Sequence, residues 1–227
     1  MKVCILCLLM FMFVPMNCMA MTLSQPKYIG KIIAANIGGF AFEGDVDNKG
    51  VMSIHQMFKR SVYDKGVAVF GEGNDALYFY YEQGNWGINK PTKMFVGGSD
   101  INNLIDVNLM YTEISRISTN EGITMYMLHD SYDLPEEDRF ILIGRRNDGK
   151  WVKYFDSNEI GRRYFNKESW GLAFRDFKVI ESKVILNYER NFLQEQISRG
   201  RKSDEYGKFI FSWDKSKQWF AVRRVVN

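Results

Sequence analysis

Cysteine is confined to the first eighteen residues. Cys4, Cys7 and Cys18 are the only three in a chain of 227, so residues 21–227 can form no disulfide. Small exported domains often lean on disulfides, whereas a chain of this length buries enough apolar surface to fold without them. Histidine is nearly as scarce. His55 and His129 stand far apart, and with no cysteine beside them they do not make a zinc site of usual spacing. No Gly-x-Ser-x-Gly elbow occurs, and no thiol follows Cys18, which removes two common signatures of nucleophilic catalysis. Residues 21–227 also lack an Asn-x-Ser/Thr sequon and any low-complexity tract. These absences leave a chain that folds by core burial and shows no catalytic constellation.

Long apolar runs are absent too, with one exception at the start. After Met1-Lys2 the twelve residues Val3 to Val14 carry no charge, and Pro15 and Asn17 then interrupt the run before Ala20. One cation, a short apolar stretch and a small residue at the exit describe a secretory signal peptide. A membrane-spanning helix needs roughly 20 apolar residues, so the run is too short for an anchor. Cleavage after Ala20 places Cys18 and Ala20 at the two subsites that require small side chains and makes Met21 the mature N-terminus. A lipoprotein signal requires a small residue directly before the lipidated cysteine, and here Asn17 precedes Cys18. The expectation is therefore an exported, periplasmic or extracellular protein of a bacterial envelope that is not an integral membrane protein once processed.

Residues 21–227 read as a single globular domain in which charge is unevenly distributed. The net charge of +3 hides an acidic part, residues 21–138, with 9 Lys+Arg and 16 Asp+Glu, and a basic part, residues 139–227, with 20 and 11. The sign changes at "HDSYDLPEED", His129 to Asp138, which reads as an exposed loop or a sub-boundary near 130–138. Outside the cytoplasm a basic surface meets phosphate-rich polymers or acidic lipid headgroups before it meets nucleic acid. Mutual attraction of the two parts within one domain accounts for the same asymmetry.

Short aromatic and β-branched runs separated by Gly, Asn and Asp clusters predict a mainly β protein with a few short helices, an α+β chain of antiparallel hairpins and meanders. In "RFILIGRRNDGKWVKYF" the arms are Phe140–Gly144 and Trp151–Phe155, with a turn at Asn147-Asp148-Gly149. In "KFIFSWDKSKQWFAVRRV" the alternation Phe209, Phe211, Trp213 is expected to continue as Trp219, Ala221 and Arg223. A third hairpin, "ALYFYYEQGNWGI", is expected to turn near Gly84-Asn85. Trp86, Trp151 and Trp219 each follow a turn, but one residue type at spacings of 65 and 68 does not establish a repeat. "DSNEIGRRYF", Asp156 to Phe165, begins with an Asp-x-x-Glu cap and sets Ile160 and Tyr164 on one face of a short helix. "SIHQMFKRSVY" and "SDINNLIDVNLMYTEISRI" fit helix or strand, the second with Ser99 as a cap. "NYERNFLQEQISRGRKSDEYG" reads as a loop or short helix.

Several motifs reduce to ordinary structure. "DVDNKGVMSIHQ" resembles a calcium loop at Asp45, Asp47 and Gly50, yet Lys49 occupies the fifth position and Gln56 replaces the twelfth-position glutamate. A polar turn is the expectation, and no metal site is assigned there or to the acidic run Asp130, Asp133, Glu136, Glu137, Asp138. "VGGSD" and "FGEGND" read as turns, and no cofactor is implied. The candidate ligand surface combines the aromatic pair Tyr78 and Tyr80 with the cations Arg145 and Arg146, because rings stack on sugars and alternation sends every second ring outward. Such a surface fits a binding protein whose partner is an envelope polymer or another protein, and two alternatives stand beside it. One is a polysaccharide hydrolase with paired carboxylates, and the other is a periplasmic inhibitor or immunity protein.

Overall fold

The computed structural model describes residues 21–35, 39–44, 53–57, 64–70, 73–83, 93–107, 109, 111–131, 138–165, 172–190 and 205–227. The strands β1 (Lys27–Ala35) and β2 (Gly39–Gly44) form the first hairpin. A five-stranded meander follows as β3 (Ser53–Met57), β4 (Asp64–Phe70), β5 (Leu77–Gln83), β6 (Lys93–Gly97) and β7 (Ile105–Val107). The chain then returns to β1. Strands β8 (Tyr111–Ser118), β9 (Thr124–Asp130), β10 (Arg139–Arg145) and β11 (Trp151–Asp156) build a six-stranded sheet in the order β11-β10-β9-β8-β1-β2. A single α-helix among the described residues, α1 (Ser157–Phe165), leads to a four-stranded meander of β12 (Leu172–Ile180), β13 (Lys183–Arg190), β14 (Glu205–Asp214) and β15 (Trp219–Val226). Every strand pairing among the described residues is antiparallel.

The six-stranded sheet is the middle layer of three. Alternation along β9 sends Met125 and Met127 into a core shared with the four-stranded sheet, and Tyr126 and Leu128 into a core shared with the five-stranded sheet. In β10, Phe140 and Leu142 take the first direction and Ile141 and Ile143 the second. A strand covered on both faces has no place for a polar residue, which is why "MYML" and "FILI" are unbroken apolar runs. The outer sheets have one covered face and alternate accordingly. Val184, Leu186 and Tyr188 of β13 and Phe209 and Phe211 of β14 are buried, and their intervening neighbours are partly exposed.

Aromatic side chains fill the contact between the middle and four-stranded sheets. Phe155 stacks on Phe211 with centroids 4.0 Å apart, and Tyr154 meets Trp213 at 5.6 Å and Phe220 at 5.5 Å. Full burial of such a side chain contributes about 1.5–3 kcal/mol. Much of the 15% aromatic content is therefore core. The N-terminal segment joins the same layer: Met21 and Leu23 are buried there, the Leu23 amide donates to Glu181 O at 2.8 Å, and the Ser24 amide donates to Ser118 O at 2.7 Å.

The Asn-Asp-Gly hairpin forms where expected, with Gly149 at φ 84°. The last hairpin also forms, but on the opposite face after its turn. Trp213 pairs with Phe220 and Phe211 with Val222, so Phe220 and Val222 point inward and Ala221 and Arg223 do not, while Trp219, 39% exposed, sets its ring 5.4 Å from Tyr154 at the rim of the core. The turn sets this register. Asp214 Oδ1 accepts hydrogen bonds from the Ser216 amide at 3.0 Å and hydroxyl at 2.6 Å, closing a four-residue connection with Gln218 at φ 47°, and a one-residue shift flips every side chain. The third hairpin uses β5 as expected, but its return arm is Lys93–Gly97. Trp86 and the turn near Gly84-Asn85 lie outside the described residues, as do residues 45–52 of the calcium-loop likeness and 191–204.

Of the two ambiguous segments, Ser53–Met57 is a strand, and the other is a short 3-10 turn at Ile101–Asn103 followed by β7 and β8. The cap of that turn is Asp100, whose carboxylate accepts from the Asn102 amide at 3.0 Å, not Ser99. Helix α1 forms as expected, with Asp156 Oδ1 accepting from the Asn158 amide at 3.0 Å, and Ile160 and Phe165 in the core. The segment between Asp130 and Arg139 joins two adjacent strands of the middle sheet, so the change of charge sign falls within one sheet.

Candidate functional site

Tyr78 and Tyr80 lie on the outer face of β5, since Leu77 and Phe79, which alternate with them, are fully buried against the middle sheet. Their rings are nearly parallel, 14° apart with centroids at 6.1 Å. The Tyr80 hydroxyl donates to Gly98 O at 3.4 Å. Partial burial, then the neighbouring Tyr78 and Asp100, raise the Tyr80 phenol above its ordinary value. Arg145 and Arg146 sit elsewhere. Arg145 donates from Nε to Gly149 O at 3.2 Å and from Nη1 to Asn74 O at 3.4 Å, tying its own turn to the loop before β5. Arg146 lies close enough to Tyr154, on the side of the four-stranded sheet, for its charge to act on that phenol. Adjacent residues of an extended chain point to opposite faces, so the four side chains are divided between layers. Ala20 lies outside the described residues, and Met21 is a core side chain.

Two ionic clusters are built into the fold. Asp156 is 1% exposed and accepts from Arg139 Nε at 3.1 Å and Nη2 at 2.6 Å, with Lys153 Nζ at 3.4 Å. Burial opposes ionisation of Asp156, but the Arg139 hydrogen bonds and charge, joined by Lys153 and the Asn158 amide, hold its carboxyl below the usual range. Lys153 also pairs with Glu159. The second cluster closes one end of the four-stranded sheet, where Tyr188 donates to Glu205 Oε1 at 2.7 Å, and Arg224 pairs with Glu205 and donates from Nε to the Tyr188 oxygen at 2.8 Å. The Arg224 guanidinium also lies over the Phe165 ring, 4.4 Å from its centroid. Burial pushes the Glu205 carboxyl up, but its bonds to Tyr188 and Arg224 outweigh this and leave it lowered. These carboxylates are satisfied as anions, which suits structural pairing.

Beside the first cluster lies a cleft of about 260 Å³ between α1 and β12, lined by Asp138, Ser157, Asn158, Gly161, Arg162, Leu172 and Phe174. Ser157 is fully buried and its Oγ accepts from the Phe140 amide at 3.0 Å, which commits it to holding the helix start against β10. In the acidic run, Asp130 accepts from Thr112 Oγ1 at 2.6 Å, and Asp138 lies 3.4 Å from His129 Nε2. The His129 ring stacks on Phe140 at 4.3 Å. Among the described residues no group of three His, Cys, Asp or Glu side chains is placed to hold a metal ion.

The outer face of the four-stranded sheet presents a different arrangement, which sequence reading missed. Register places Lys178, Ile185, Ile210 and Arg223 in one row across all four strands. The row on one side contains Asp176, Asn187, Lys208 and Val225, and the row on the other contains Ile180, Lys183, Ser212 and Ala221. Arg175 joins them at the bulge in β12 and pairs with Glu189 at 2.8 Å, while Lys178 lies 3.6 Å from Asp176. Lys183, Lys208 and Arg223 have no carboxylate partner among the described residues. Ile180 and Tyr206 on the same face are each 50% exposed. The face is therefore basic with an apolar centre. Its signal in the sequence was the alternation within 175–190 and 206–225, which identifies outward residues strand by strand but not their neighbours across strands.

No protein-family model, curated protein or solved structure matches the chain.

Proposed function

We propose that the protein is an exported, non-catalytic binding protein of the bacterial cell envelope, and that it recognises an anionic envelope component through the outer face of the β12–β15 sheet. The observation that carries the reading is the set of three cations, Lys183, Lys208 and Arg223, that have no carboxylate partner among the described residues and are fixed by register on one sheet face. Such a face raises the local concentration of anionic partners and steers their approach. The compartment rests on the leader, with Lys2, the apolar run Val3–Val14 and a cleavage position between Ala20 and Met21. A cut there leaves Met21 and Leu23 in the core they help to fill.

The hydrolase alternative receives no comparable support. A general acid must be held protonated near neutral pH by a raised pKa, whereas Asp156, Glu205 and Asp214 are each held below the usual carboxylate range.

Retention of the purified protein on a washed envelope fraction tests the reading. The expected result is retention that weakens at high salt and is lost when Lys183, Lys208 and Arg223 are together changed to glutamate, with the melting temperature unchanged. Equal retention of the wild type and this variant would contradict the proposal.

A further inference from the structure

Resting on that reading, we infer that the partner of the β12–β15 face is the surface of an anionic lipid bilayer, and that the sheet lies flat against it. Four antiparallel strands of 8–10 residues span about 14 Å across and up to about 34 Å along, and their other side is packed into the core. A face of this extent, covered on one side only, is open to a planar partner on the other.

The side chains then distinguish a bilayer from a soluble polyanion. Lys183, Lys208 and Arg223 stand on three neighbouring strands and in three different rows of the sheet, so they address charges spread over a plane. Between and beside them stand Ile180, Ile185, Ile210 and Tyr206, with Ile180 and Tyr206 half exposed. A phosphate polymer gains little from these apolar groups. A headgroup layer gains from both kinds, because the cations meet lipid phosphates while isoleucine and tyrosine enter the boundary with the acyl chains. The protein remains peripheral in this arrangement, and no helix among the described residues is long and apolar enough to cross a membrane.

Each lysine or arginine near an anionic leaflet strengthens binding about fivefold, so three uncompensated cations contribute on the order of 100-fold. Co-sedimentation with vesicles tests this. The wild type is expected to sediment with vesicles of phosphatidylglycerol and phosphatidylcholine in equal parts and not with pure phosphatidylcholine. Combined Lys183→Glu, Lys208→Glu and Arg223→Glu substitution should lower the partition coefficient by more than about 100-fold, since it replaces attraction by repulsion, and Ile180→Ser alone should lower it several-fold. If charge reversal lowers the melting temperature, the corresponding glutamine set replaces it. Equal sedimentation with both vesicle types would overturn the inference. So would binding of soluble polyphosphate as tight as that of vesicles and unaffected by Ile180→Ser. If either result accompanies charge-dependent retention on the envelope fraction, the bilayer fails as the partner and the binding reading stands.

Discussion

Asp156 shows how one residue serves two elements. It ends β11, its carboxylate caps the start of α1, and the same group neutralises Arg139 at 2.6 Å. Asparagine preserves the cap but removes the charge, so Asp156→Asn isolates the ion pair. Arg139 is partly exposed and keeps another contact, so the loss is that of charge-assisted hydrogen bonds, about 1.5–3 kcal/mol. The pH dependence has a definite sign. A carboxyl whose folded pKa lies below its unfolded value contributes stability above about pH 4, and that contribution is lost as pH falls through the lowered folded value. Denaturant unfolding of wild type and Asp156→Asn is expected to show a large difference at neutral pH that shrinks on acidification. A difference that persisted unchanged to low pH would rule out the ion pair as its source. The Asp-x-x-Glu pattern made the cap legible in the sequence. The pairing with Arg139 was not legible, because it depends on β10 and β11 lying side by side.

At the scale of elements, the sequence revealed strands and turns well and faces less well. Asn147-Asp148-Gly149 specified its hairpin through a glycine that adopts positive φ, and the arms followed. The Asp214–Trp219 turn has no such residue, and its four-residue length was set by side-chain bonds to Asp214. The inward set after the turn was therefore misassigned by one position. Strand β14 depends on another local requirement. Tyr188 stands directly across from Gly207, and a methyl group at Gly207 would lie 2.5 Å from Val225 O and 2.6 Å from the Tyr188 ring and hydroxyl. Neither a backbone carbonyl nor a ring held by Arg224 and Glu205 can move freely. Gly207→Ala is accordingly expected to lower stability by about 1–3 kcal/mol, the usual cost of overpacking, as read by chemical denaturation. An unchanged unfolding midpoint would show that the ring and strand relax without loss.

For the molecule as a whole, three stacked sheets explain features that composition left ambiguous. The aromatic residues that suggested a ligand platform are largely the contact between two layers, where Phe140, Tyr154 and Phe155 meet Phe209, Phe211 and Phe220. Tyr78 and Tyr80 are the outward pair that alternation anticipated, but Arg145 and Arg146 belong to other surfaces. The basic character of residues 139–227 was visible as a count, while its concentration on one face required the register of four strands. Covalent labelling of lysines tests whether that face is the binding surface. Acetylation of the protein with and without a washed envelope fraction, read by mass spectrometry, is expected to show protection of Lys183 and Lys208. Lys150, exposed at the β10–β11 turn of a different sheet, should label equally in both. Protection of Lys150 with Lys183 and Lys208 unaffected would place the binding surface elsewhere and contradict the account.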